Sequence, residues 1–159
     1  MDALDRDGFV AALGHVYEDT PTLAAAAWAA RPFADRDALV RAFHDAANRL
    51  AEPDVLALLR AHPQLGASGP MTADSTAEQR AAGLASLEDR ARAEIAAGNA
   101  RYLERFGFPF IIAVRGRGPA EIAAALAERL THDAAHERAE AFAQVQRIAE
   151  LRIHQAVDA

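Results

Sequence analysis

Apolar residues recur along this chain at three- and four-residue intervals and seldom alternate, which is the period of helices rather than of strands. The first such stretch runs from about Asp7 to Val16. Thr20-Pro21 reads as a cap followed by proline at the first helical position, opening a short alanine-rich helix through Trp28 that Arg31-Pro32 stops. Asp35 caps a third helix in which Leu39, Val40, Phe43, Ala47 and Leu50 form an inward stripe, with His44 at its edge. Pro53 starts a fourth, with Val55, Leu56, Leu58 and Leu59 facing inward. It ends by about Ala61, because a residue before proline, here His62, is pushed away from helical geometry.

Gln64 to Asp74, with Gly66, Gly69 and Pro70, reads as the one long irregular stretch. From Thr76 to about Phe106 a helical pattern resumes through Leu84, Leu87, Ala91, Ile95 and Tyr102, with Gly83 and Gly98 as candidate breaks. Phe106 to Gly116 is an apolar run too short for a buried helix and broken by Pro109. With no second convincing strand to pair with, it reads as extended chain packed against helices. Gly118-Pro119 restarts a helix to about Leu130, and Thr131 or Asp133 begins a last long one reaching Ile153. The expected fold is all-α: a single compact helical-bundle domain over residues 1–159, with a short extended non-helical segment near 106–116.

Length and composition agree with that picture. A chain of 159 residues should bury roughly 70% of its unfolded surface, and much of its apolar content is alanine, the best helix former. Two zeros narrow the chemistry. There is no cysteine, and all 17 basic residues are arginine. Thiolate nucleophiles, disulfides, thiolate zinc sites and lysine Schiff bases are excluded, and covalent pyridoxal chemistry with them. Acid–base work by His, Asp and Glu remains, with Arg as the charged binder.

A net charge of −6, with arginines scattered among acidic residues, offers no basic face for phosphates, so no nucleic-acid partner is expected. No stretch approaches the roughly 20 apolar residues of a membrane span. Met1 to Asp5 lacks the order of a signal peptide, and Ala156 to Ala159 carries no retention or peroxisomal address, so a soluble cytoplasmic protein is the expectation.

Candidate chemistry gathers between His62 and Leu84. Ser75 followed three residues later by Glu78 has the form of a capping box, which needs no function. Gln79 adds a polar group on the same first turn, where spare N–H groups also favour an anionic ligand. Cap and ligand site are compatible. His62 is a loop histidine on a restricted backbone, of the side-chain class that titrates near neutral pH unaided. His132 and His136 share a helical face at metal-ligand spacing, but no third ligand is evident, so no metal site is assigned. Arg152 falls on the apolar stripe of the last helix between Val145, Ile148 and Ala149. Its guanidinium either snorkels past the helix end or meets a buried anion, which could be bound substrate rather than a protein carboxylate.

With these residues in view the chain resembles the 2-oxo-4-hydroxy-4-carboxy-5-ureidoimidazoline (OHCU) decarboxylases of urate breakdown. The likeness runs through His62-Pro63-Gln64-Leu65, Ser75-Thr76-Ala77-Glu78-Gln79 with Gly83-Leu84, Phe106-Gly107-Phe108-Pro109-Phe110-Ile111, and Val145 to Ile153. It departs at Gln64, where Asp is frequent, and at Thr131-His132, where Asn is usual. The resemblance implies an all-helical homodimer that uses no metal or organic cofactor and forms (S)-allantoin with release of carbon dioxide. It implies His62, Glu78 and Arg152 as catalytic residues. It places substrate contacts at Pro63, Ser75, Gln79 and the backbone of Phe110, Ile111, Ile112, Ala113 and Val114. Two other readings stand beside it: a non-catalytic helical module binding a purine-derived ligand, and a decarboxylase of a related ureido or imidazoline acid.

Overall fold

The computed structural model describes residues 1–66 and 89–158, with residues 89–92 described by their backbone alone. Seven helices and no strand occur among the described residues: α1 (Arg6–Leu13), α2 (Pro21–Trp28), α3 (Arg36–Asn48), α4 (Glu52–Ala61), α5 (Asp89–Phe106), α6 (Pro119–Arg129) and α7 (Ala134–Asp158). The all-α expectation holds. None of these helices is long and apolar enough to cross a membrane.

The contacts divide the chain into two compact units, one of Met1–Ala61 with Gln146–Ala159 and one of His62–Val145. In the first, α2 packs on both α1 and α3. Its core holds Phe9, Leu13, Tyr17, Leu23, Phe43, Ala149 and Ile153, with Phe43 stacked between the rings of Phe9 and Tyr17. Asp5 and Asp35 cap α1 and α3 by accepting from the N–H groups of Gly8 and Ala38 at 2.8 and 2.7 Å.

Three boundaries in this unit differ from the sequence pattern or refine it. Helix α1 ends at Leu13 rather than near Val16: Gly14 closes it on Val10 O, where a Cβ would lie 2.5 Å from that oxygen. Thr20 precedes α2 as expected, but its hydroxyl donates to Glu18 O at 2.8 Å instead of capping the helix; Pro21 needs no N–H partner in any case. Helix α4 stops at Ala61, as Pro63 dictates, although Val55 and Leu56 are only half-buried.

In the second unit α5 packs on α6. Gly98, a candidate break, sits inside a continuous helix. Its missing side chain lets α6 approach, since a Cβ there would fall 2.5 Å from Leu126 Cδ2. Asp133 rather than Thr131 caps α7, accepting from His136 N at 2.8 Å, and the helix continues past Ile153 to Asp158. Between α5 and α6 the chain from Phe108 to Val114 is neither helix nor strand, and all seven residues are buried.

Candidate functional site

His62 lies one residue beyond α4 and is 7% exposed. The chain then turns through Pro63 and Gln64 to the buried Leu65, whose carbonyl accepts a hydrogen bond of 2.9 Å from Asn99 Nδ2 of α5. A side-chain amide thus stands where a backbone partner is lacking, and it anchors the turn that carries the histidine.

Burying seven non-helical residues requires partners for backbone groups that no ladder satisfies. Arg129, at the end of α6 and 5% exposed, donates from Nη1 to Ile111 O. Gln144 of α7 accepts from Ala113 N at 2.9 Å, and its own amide nitrogen donates to Glu140 at 2.9 Å. Val114 O accepts from Arg117 N in the turn that follows.

The Arg129 guanidinium is itself held. Its Nε donates to Glu137 Oε1 at 2.6 Å, and its Cζ lies over the Phe110 ring, 4.7 Å from the ring centre. Glu137, fully buried, also accepts from the Tyr102 hydroxyl and meets His132 Nδ1 at 2.9 Å. Burial, and then the Glu137 carboxylate, push the Tyr102 phenol well above its ordinary range, so it stays a neutral donor. Fully partnered in this way, a buried carboxylate is tolerated; stripped of one partner it is not. His132 stacks on His136 with ring centres 4.1 Å apart, and among the described residues no group of three metal-ligating side chains occurs.

In the first unit Arg152 is 2% exposed. Of the two fates open to it from the sequence, meeting a buried anion is the observed one. The anion in the structure is a protein carboxylate, where the sequence suggested substrate: Nη2 donates to Glu18 at 2.8 Å, while Nη1 lies 3.4 Å from Val16 O.

Of the residues singled out by sequence, His62, Pro63 and Phe110 to Val114 therefore fall in one unit and Arg152 in the other. Ser75, Glu78 and Gln79 lie outside the described residues. Arg129, Glu137, Gln144, Glu18 and Asn99 had not been singled out. A signal for two of them was available: Arg129 continues the apolar face of Ile122 and Leu126, and Glu137 that of Ala141 and Val145, so each is a charge on a buried stripe.

Residues 2–154 match the family model described as OHCU decarboxylase. The chain is 42% identical over 153 residues to the 2-oxo-4-hydroxy-4-carboxy-5-ureidoimidazoline decarboxylase of Haloferax volcanii, covering 96% of this chain and 91% of that protein. It is 38% identical over 157 residues to the enzyme of the same name from Amia calva, covering 96% and 90%. A crystal structure of OHCU decarboxylase in the presence of (S)-allantoin superposes with a TM-score of 0.76 at 26% identity, covering 98% of this chain and all of that one. Matched over nearly its whole length by one family model and by relatives that it covers almost completely, the chain belongs to the OHCU decarboxylase family.

Proposed function

We propose that this chain, as a single domain of that family, converts 2-oxo-4-hydroxy-4-carboxy-5-ureidoimidazoline to (S)-allantoin and carbon dioxide in urate degradation. The observation that carries this reading is the match of residues 2–154 to one decarboxylase family model. The chemistry suits the composition. Loss of carbon dioxide leaves an electron pair that needs a sink. A protein without lysine cannot form a Schiff base, and the substrate's own conjugated imine can accept the pair. The protein's task is to hold the carboxylate, move protons and choose the face of reprotonation.

In this reading His62 takes the proton of the substrate hydroxyl and returns one to the ring carbon bearing the ureido group. Glu78 and Gln79 hold ureido and ring N–H groups, and Ser75 adds a hydrogen bond. Arg152, steadied by Glu18, binds carboxylate or carbonyl oxygen. Pro63 and the backbone of Phe110 to Val114 contact the flat, amide-rich ring. The burial of that non-helical stretch supports the assignment, because unladdered peptide groups away from water suit such a ligand. We further read the active protein as a cytoplasmic homodimer working without metal or organic cofactor.

The test is to supply freshly generated urate-oxidation product and follow circular dichroism with and without protein. Faster appearance of one optical form of allantoin is the expected result; no acceleration refutes the reading.

A further inference from the structure

The peptide groups on either side of Ile112 are each gripped from one end. Arg129 holds the carbonyl of Ile111, and Gln144 holds the N–H of Ala113. Both peptide bonds are trans, the one cis bond among the described residues being Arg31-Pro32. In a planar trans peptide the C=O of one residue and the N–H of the next point in opposite directions. Fixing Ile111 O toward Arg129 therefore aims the Ile112 N–H away from Arg129. Fixing the Ala113 N–H toward Gln144 likewise aims the Ile112 C=O away from Gln144. Ile112 is only 5% exposed, and neither of these two groups has a hydrogen-bond partner among the described residues. A buried donor and acceptor on one residue, each set by a side chain behind it, form a unit that complements an amide or a ring urea.

Resting on the decarboxylase reading above, we infer that Arg129 and Gln144 are positioning residues that orient the Ile112 N–H and C=O toward the substrate ring. Neither side chain needs to touch the substrate. Glu137 and Tyr102 act one step further back, by holding the Arg129 guanidinium in the plane that reaches Ile111.

Gln144 gives the cleaner test because it is only half-buried and carries no charge. Gln144→Leu removes the acceptor for Ala113 N. The exchanged pair Glu140→Gln/Gln144→Glu restores an acceptor at 144 and the contact between the two side chains. In the full-length protein, Gln144→Leu should remain folded, lower kcat/KM by roughly 10–100-fold, and abolish the shift of the Ile112 amide resonance on adding (S)-allantoin. The exchanged pair should recover both, which a merely structural role for Gln144 does not predict. Arg129→Lys keeps a cation beside Glu137 but cannot serve Ile111, Tyr102 and Glu137 from one plane, so it should lower kcat/KM at least as far. Wild-type kcat/KM in Gln144→Leu or in Arg129→Lys overturns the inference, as does a loss that the exchanged pair leaves unrepaired. An inactive wild-type protein overturns the functional reading itself; an active wild type with unaffected variants overturns this inference alone.

Discussion

The Arg152–Glu18 pair shows what a single charge on an apolar stripe demands. With side chains 1% and 2% exposed, neither ion has bulk water to fall back on, so removing one takes a buried charge-assisted hydrogen bond from the other. Glu18→Ala should destabilise the protein by about 3–5 kcal/mol, read as a lower urea midpoint at unchanged slope; a midpoint within error of wild type refutes the pairing. Both tyrosines of the chain are buried, and burial raises the phenol pKa of each above the ordinary 10.0. Their neutral forms stabilise the fold fully below that value, and the contribution is lost as pH rises above it. Ultraviolet absorbance should therefore show no phenolate until the protein unfolds in base, and then both together; a smooth native-state titration contradicts this. The placement of Arg152 on the stripe was legible from helical period alone. Its partner was not, because Glu18 stands 134 residues away in a turn without periodic signal. Arg129 and Glu137 are only 8 residues apart and each is a charge on a buried stripe, but they stand on different helices, and their pairing is not defined until α6 and α7 are folded.

Among the elements, periodicity located the helices well and failed where one residue served a neighbour rather than its own helix. Gly98 is such a case: poor for α5 in isolation, it makes room for Leu126 of α6. Gly98→Ala gains about 1 kcal/mol of helix propensity but forces a methyl group against a buried leucine, where overpacking costs roughly 1–3 kcal/mol. The net expectation is a loss, and the same change made in a Leu126→Ala background should cost less than in wild type; a more stable single variant contradicts the close approach. Asp133 at the start of α7 has its pKa lowered from 3.8, first by the hydrogen bond from His136 N. Its contribution is thus present above 3.8 and disappears as pH falls through the lowered value. Asp133→Ala should melt below wild type near neutral pH, and the gap should close in strong acid; a gap independent of pH rules out the charged cap. The non-helical chain between α5 and α6 follows by elimination from the length of the 106–116 run, its proline and the want of a partner strand, although Phe106 itself ends α5. That its peptide groups are held by side chains from α6 and α7 does not, because such bonds leave no pattern in local sequence.

At the scale of the whole molecule the helical class was readable from period and composition, and the family from four motifs whose order in the chain mattered more than any one alone. Chemistry was readable chiefly by exclusion, since a chain without lysine or cysteine leaves histidine, carboxylates and arginine to do the work. Exhaustive dialysis of the protein against a chelator should leave turnover unchanged; activity lost and then restored by a divalent cation contradicts the cofactor-free account. The claim on which the rest depends is that this chain forms (S)-allantoin with His62 handling the protons. It is tested by circular dichroism on freshly generated urate-oxidation product, comparing wild type with His62→Asn after confirming that both melt alike and bind (S)-allantoin. The account predicts rapid appearance of the (S) form with wild type and loss of most turnover, by roughly 10²–10⁴-fold, in the variant. Equal rates in the two proteins contradict the role of His62, and no acceleration by wild type contradicts the assigned reaction.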